Sequence, residues 1–265
     1  MSDWITAIIL GIVQGITEFL PISSSGHLVL LQTFLPISGD DLAFDLVLHI
    51  GTLIPVLVLF RDDLIRMIRD PLQGEGPWLG RPGVRWLLLV GLASVPTALM
   101  GLLLEDLFET MFSGLRSLSW QFALTAAALQ ATAWAKPGRR GIEELSARDA
   151  LIIGVVQGVS ILPAVSRSGS TIAASVFLGL DRDLAGRFSF VISIPAILGA
   201  CLLKARKLQI EPGMVGPWLL GAAVSLVFGW LSLTVLMRVV RAGRFDRFSW
   251  YCWGAAALCL ALSFR

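Results

Sequence analysis

The sequence predicts an all-α polytopic membrane protein, an inverted repeat with about six transmembrane helices and two re-entrant helical hairpins. Three observations lead there. The 265 residues are 55% hydrophobic and only 15% charged, with a mean hydropathy of +0.78, where a soluble domain carries about a quarter charged residues. The apolar runs are long and do not alternate with polar residues, which selects helices over a transmembrane barrel. Finally, the chain matches itself at an offset of 143 residues: GIVQGITEFLPISSSGH (11–27) lies over GVVQGVSILPAVSRSGS (154–170) without a gap. Gly11, Val13, Gln14, Gly15, Ser23, Ser25 and Gly26 meet Gly154, Val156, Gln157, Gly158, Ser166, Ser168 and Gly169. Internal repeats of this kind are frequent in transporter-like membrane folds.

Taken in order, residues 4–20 are long enough for most of a span, whereas 28–36, after the serine cluster, is short. At the helical rise it reaches only about 14 Å, half the hydrocarbon thickness. The second copy repeats the pattern, long over 149–165 and short over 171–180. Each copy therefore reads as a hairpin whose serine-rich tip lies inside the membrane, where irregular backbone must line a cavity or be buried in protein. Full spans are expected at 42–60, 86–104, 118–135, 188–203, 218–237 and 248–264. Loops 61–85, 136–148 and 238–247 are rich in Arg and Lys and are placed in the cytoplasm. A turn around Glu105, Asp106 and Glu109 is placed outside, and Lys204, Arg206 and Lys207 count against that topology. Three spans after each hairpin invert the two copies, roughly 1–140 and 141–265, within one integral membrane domain. Cys201, Cys252 and Cys259 sit in apolar segments as small hydrophobes. Nothing in the charge pattern points to nucleic acid.

The two tips carry the chemistry. One offers Ser23, Ser24, Ser25, Gly26 and His27; the other offers Ser166, Arg167, Ser168, Gly169, Ser170 and Thr171. Hydroxyls, glycine-rich backbone N–H groups at helix starts and one arginine suit an anion, and phosphate is the natural guest. Gln14 and Glu18 share a helix face at i, i+4 and lead into the first tip. A carboxylate beside an anion calls for a proton or a metal, so Glu18 is a candidate ligand for a divalent cation, Mg²⁺ first and Ca²⁺ as the alternative. His27 is a candidate nucleophile or general acid/base. Ionisable groups at membrane depth are costly and usually functional, which singles out Glu18, His27 and Arg167. Asp45 and His49, also i, i+4, read as a mutually satisfied pair or as part of the cavity wall.

At these residues the chain resembles the undecaprenyl-diphosphate phosphatases of the bacitracin-resistance type. Their first motif, (E/Q)xxxE followed by Ser-Ser-x-Gly-His, is met by Gln14, Glu18 and Ser23 to His27. Their second, PGxSRSGxT, is met from Pro163 to Thr171, with Ala164 in place of the usual glycine. The resemblance implies hydrolysis of undecaprenyl diphosphate to the monophosphate and inorganic phosphate, recycling the lipid carrier of cell-wall synthesis. It implies a divalent-cation requirement, bacitracin resistance and a place in the bacterial cytoplasmic (inner) membrane. Glu18, Ser24, His27 and Arg167 are then the catalytic set. Gln14, Ser23, Ser25, Gly26, Ser166, Ser168, Gly169, Ser170 and Thr171 bind substrate. The attacking group stays open among His27, Ser24 and water. The expected partners are a polyprenyl diphosphate and membrane lipid; a homodimer is compatible with the sequence and not required by it. The rival from another class is a carrier or flippase for phosphorylated polyprenyl lipid.

Overall fold

The structure, a computed structural model, describes residues 3–32, 41–73, 75–111, 114–205 and 212–264. Helix α1 (Asp3–Phe19) and the short α2 (Ser24–Gln32) form a hairpin, followed by α3 (Asp41–Leu59), α4 (Arg61–Gln73), α5 (Pro82–Met111) and α6 (Leu115–Ala131). A second hairpin, α7 (Ala147–Val159) and α8 (Arg167–Phe177), precedes α9 (Arg182–Ala205), α10 (Val215–Arg241) and α11 (Phe248–Leu262). The protein is an all-α polytopic membrane protein. Among the described residues, Pro82–Leu104, Arg182–Leu203 and Val215–Arg241 are long and apolar enough to cross a bilayer alone. Ala43–Leu59 joins them when taken with α4, from which it is bent by 69°.

The expected spans all contain a helix, with different ends. The helix expected over 118–135 stops at Ala131, and α11 stops at Leu262 rather than 264. The acidic stretch at Glu105, Asp106 and Glu109, expected as a turn, is the continuing backbone of α5, which runs to Met111. Residues 61–85, expected as a loop, hold the amphipathic helix α4: Asp63 and Met67 face inward while Ile65, Ile68 and Leu72 are exposed. Its density of charged residues reads as a loop, although Leu64, Ile65, Met67, Ile68 and Leu72 recur at helical spacing. The long arm of the second hairpin, expected over 149–165, is helical only to Val159, because residues 160–166 turn the tip. Residues 33–36 of the first short arm, and Arg206 and Lys207, lie outside the described residues.

Helix pairing follows a pattern of exchange. Helix α1 packs on α10 while α7 packs on α5; α3 packs on α10 while α9 packs on α5; α6 packs on α11. Exchanging α1 with α7, α3 with α9, α5 with α10 and α6 with α11 leaves this set unchanged. The close approaches are made by small residues, as association in lipid requires. A Cβ on Gly11 would stand 2.7 Å from the Gly221 carbonyl, and one on Gly15 2.7 Å from the Ser225 carbonyl. Ser232 Oγ adds a bond to the Gly15 carbonyl at 2.6 Å.

Two features seat the hairpins. Helix α7 begins with a capping box, Ser146 Oγ accepting the Asp149 N–H at 3.2 Å and Asp149 Oδ2 accepting the Ser146 N–H at 2.9 Å. Arg140 Nη2 locks the same carboxylate at 2.6 Å. The basic loops gather at this end. Arg85 donates to the Ile142 and Leu145 carbonyls at 2.8 and 2.9 Å, and Arg241 bonds Asp183 on α9 at 2.6 Å. Phe190 joins two rings into an aromatic block, meeting Phe19, the neighbour of Glu18 in the chain, edge-on at 5.7 Å between centroids and stacking on Phe60 at 5.8 Å.

Candidate functional site

The two tips are built alike. Ser166, at the N-cap of α8, accepts the Gly169 N–H through Oγ at 3.1 Å. Ser23 accepts the Gly26 N–H through Oγ at 3.4 Å, with its backbone at a positive φ of 66°. Serine and glycine three apart thus close both turns, at positions related by the 143-residue offset. The tips also hold each other. Ser23 Oγ donates to the Pro163 carbonyl at 2.6 Å, and Ser168 Oγ donates to the Phe19 carbonyl at 2.9 Å. Gly26 lets the tips close: a Cβ there would lie 2.7 Å from Phe122 Cζ and 3.1 Å from Ala164 Cα.

This junction brings four of the expected site residues together. Ser24 is the first residue of α2 and Arg167 the first of α8, again positions 143 apart. Both reach Glu18, from the end of α1. Ser24 Oγ donates to Glu18 Oε2 at 2.6 Å, and Arg167 Nη2 pairs with Glu18 Oε1. Gln14 Nε2 donates to Glu18 Oε2 at 3.0 Å. Glu18, Gln14 and Ser24 are buried, and the Arg167 side chain is 17% exposed. A carboxylate at this depth is tolerable because cationic and neutral donors replace its water. Two polar atoms remain unsatisfied: Arg167 Nη1 and Gln14 Oε1 are buried with no hydrogen-bond partner. One edge of the guanidinium is therefore spent on Glu18 and another points at nothing in the protein. Both helix N-termini converge on the same place, adding partial positive charge.

The other expected residues occupy different places. His27 faces away from Glu18 in its bonding. Its Nδ1 donates to the Ser23 carbonyl at 2.6 Å, its Nε2 meets the Tyr251 hydroxyl at 2.6 Å, and its ring stacks on Tyr251 and edges Phe122. Because a carbonyl only accepts, Nδ1 carries the hydrogen and Nε2 accepts from the phenol. Ser166 and Ser168 hold the tip, as does Thr171, which bonds the Arg167 carbonyl at 2.7 Å and Ser189 Oγ. Ser25 is exposed, and Ser170 continues α8 through its N–H to the Ser166 carbonyl at 2.8 Å.

His49 joins the site in the place of those that do not. The expected side-chain pair with Asp45 is not what its ring makes: Nδ1 lies 2.7 Å from the Asp45 backbone carbonyl. Nε2 points instead at Glu18 Oε2, 3.5 Å away. The signal that could have found it is an ionisable side chain inside the expected span 42–60, which has to pack beside α1. Gln157, the repeat partner of Gln14, serves cross-helix packing, donating to Thr97 Oγ1 at 3.1 Å and the Ile192 carbonyl at 3.3 Å.

The donor set does not fit a divalent cation held by the protein alone. Glu18 spends one oxygen on Arg167 and the other on Ser24 and Gln14. Among the described residues no three His, Cys, Asp or Glu stand together as ligands. The unsatisfied Gln14 Oε1 is a single neutral oxygen, where Ca²⁺ or Mg²⁺ takes six or more ligands, mostly oxygen. What the groups do fit is an anion bearing several oxygens, approached by Arg167 Nη1 and attacked by a hydroxyl already bonded to a carboxylate.

Residues 7–258 match the family described as bacitracin resistance protein BacA. The chain is 40% identical over 252 residues to the undecaprenyl-diphosphatase of Carboxydothermus hydrogenoformans, covering 93% of this chain and 92% of that one. It is 40% identical over 265 residues to that of Methanosphaera stadtmanae, with 95% of each covered. It is 41% identical over 271 residues to that of Desulfosudis oleivorans, with 98% and 99% covered. With that match across nearly its whole length, and both tip motifs meeting at one carboxylate, the chain belongs to the bacitracin resistance protein BacA family.

Proposed function

We propose that this chain hydrolyses undecaprenyl diphosphate to undecaprenyl phosphate and inorganic phosphate. That reaction returns the lipid carrier to cell-wall synthesis and removes the diphosphate that bacitracin sequesters. The observation that carries the reading is the buried, unpartnered Nη1 of Arg167 beside the Ser24–Glu18 pair. It is a guanidinium edge waiting for a phosphate oxygen next to an activated hydroxyl.

In the proposed reaction Ser24 Oγ attacks the terminal phosphorus and its proton passes to Glu18 Oε2. The bond from that phosphorus to the bridging oxygen breaks, and the polyprenyl monophosphate leaves with the bridging oxygen. Water then attacks the phosphoserine and the bond from phosphorus to the serine oxygen breaks; Glu18 returns its proton to that oxygen, and both hydrogens of the water leave on inorganic phosphate. Arg167 Nη1 and the N–H groups at the starts of α2 and α8 take up the charge on the equatorial oxygens, which is where phosphoryl transfer needs help. Gln14 and His49 hold the carboxylate in register. His27 acts as a positioning residue, tying the tip of the first hairpin to Tyr251 on α11. A divalent cation, Mg²⁺ or Ca²⁺, would have to be held mainly by the substrate rather than by Glu18, and would supply further neutralisation of phosphate charge.

The reading extends to the setting. The membrane is the bacterial inner membrane, with the basic end of the bundle in the cytoplasm. The two halves are inverted copies, supported by the 143-residue offset and the exchange pattern of helix pairing. All groups at the carboxylate come from one chain, so the chemistry does not call for a dimer.

The test is phosphate release from undecaprenyl diphosphate by purified protein in detergent, with Ser24→Ala and Arg167→Ala alongside, followed by acid quench and mass spectrometry for phosphate on Ser24. Folded wild type that releases none overturns the phosphatase reading. Release that survives Ser24→Ala moves the attack to water or His27.

A further inference from the structure

A cavity lies at the far end of α8 from the carboxylate. It has a volume of about 540 Å³ and is lined by Ala135, Lys136, Gly138, Arg139, Val176 and Phe177, among others. Helix α8 has 11 residues, so about 16 Å separates its catalytic start from this end. The cavity is therefore distinct from the site described above, and it sits where the basic loops gather.

Its lining has two chemistries. Phe177, in the lining, is exposed, and so is Trp134, just before the lining begins in the chain; aromatic side chains are common at the level of lipid headgroups. Lys136 and Arg139 are exposed at the mouth, and neither forms a hydrogen bond or ion pair within the described residues. The adjacent arginine is in the opposite condition. Arg140 gives its guanidinium to Asp149 at 2.6 Å, the Leu178 carbonyl at 2.7 Å and the Glu144 carbonyl at 2.6 Å. Nearby acids are engaged elsewhere: Asp149 is neutralised, Glu144 accepts the Gly141 N–H at 3.0 Å, Asp181 accepts the Asp183 and Leu184 N–H groups at 2.9 and 3.3 Å, and Glu143 lies outside the lining.

The loop that presents the two free cations is also held rigid. Arg140 N–H bonds the Gly179 carbonyl at 3.2 Å and the Asp181 N–H bonds the Arg140 carbonyl at 3.0 Å, a short bridge tying residues 138–140 to the end of α8. Gly138 fits this approach because a Cβ would collide with the Leu180 and Gly179 carbonyls. Two unpaired cations are thus fixed over a cavity whose remaining walls are apolar.

We propose that this cavity binds the phosphate headgroup of an anionic phospholipid. Lys136 and Arg139 meet the phosphate, and Phe177 and Trp134 pack on the glycerol and upper acyl chains. A basic pocket between helices at the cytoplasmic surface matches that ligand in charge and in polarity profile. A free phosphate ion would use the two cations but would leave the apolar wall of Phe177, Val176 and Ala135 unused.

The probe is phosphatidylglycerol, with phosphatidylcholine as the uncharged control, added to delipidated full-length protein in detergent and followed by native mass spectrometry. Wild type is expected to retain phosphatidylglycerol in preference to phosphatidylcholine. In Lys136→Gln/Arg139→Gln that retention falls about 30-fold, as expected for two surface charges, while phosphatase activity in detergent stays at the wild-type level. Equal retention of the two lipids, or a double variant that binds phosphatidylglycerol as wild type does, overturns the proposal. Displacement of the lipid by excess inorganic phosphate at equal affinity also overturns it, by making the site one for free phosphate.

Discussion

His49 Nε2 stands 3.5 Å from Glu18 Oε2, on a ring whose other nitrogen is tied to the Asp45 carbonyl. Because Nδ1 is taken up by that carbonyl, Nε2 is the ring atom left to face the carboxylate, and it closes the Oε2 side of Glu18 while Arg167 holds Oε1. His49→Ala should lower kcat about 10-fold with KM little changed, a size typical of removing a group that orients another. His49→Gln, which restores a donor of similar reach, should recover most of it. Wild-type turnover in His49→Ala would remove His49 from the site.

Arg167 is asked both to neutralise Glu18 and to meet the phosphate. Arg167→Ala leaves a buried carboxylate unpaired, which costs about 3–5 kcal/mol in a fully buried pair and less here because Arg167 is partly exposed. It should also reduce kcat/KM by about 10³-fold or more, as loss of a transition-state donor does. Arg167→Lys keeps the charge but not the second edge, so it should fold like wild type and still lose most activity. A fully active Arg167→Lys would show that Nη1 has no phosphate to bind.

Gly26 is placed where a side chain has no room, 2.7 Å from the ring of Phe122, itself fully buried. Gly26→Ala should lower the melting temperature and separate the tips, an overpacking cost of about 1–3 kcal/mol. Adding Phe122→Leu should restore part of the loss. If the double variant is no better than the single one, the clash is not the cause.

The capping box under α7 is remote from the chemistry. Ser146→Ala should cost about 1 kcal/mol of stability and leave KM unchanged. A large KM change with no stability change would mean that this end of the hairpin senses substrate.

A cation that arrives on substrate leaves a signature. Titrating substrate-free protein with Mn²⁺ should show no uptake at the site by calorimetry or electron paramagnetic resonance, whereas turnover should stop on chelation. Tight, stoichiometric Mn²⁺ binding that disappears in Glu18→Gln would establish a protein-held ion instead.

The membrane class, the helical hairpins and the two tips were legible because hydropathy, helix length and a repeated Ser-x-x-Gly pattern are local properties of the chain; six full spans were expected, and among the described residues three helices, or four with the bent α3–α4 pair, are long and apolar enough to cross a bilayer. Helix α4 was not legible, because its density of charged residues reads as a loop. The site was legible in part. Gln14 and Glu18 share a face by spacing alone, and Ser24 follows them within one turn and a loop. Arg167 was named from its motif, but the pairing of one of its edges with Glu18, 149 residues away, is a tertiary fact.

By itself the sequence determined that the chain enters a bilayer, where backbone must be helical, and that two polar tips must be buried together, since neither is affordable alone in hydrocarbon. Only the tertiary structure decided which polar groups meet. It turned His27 toward Tyr251 and His49 toward Glu18, and it left one edge of Arg167 without a partner. The reason is that a side chain's direction depends on how helices rotate against one another, and that rotation is set by packing between residues far apart in the chain.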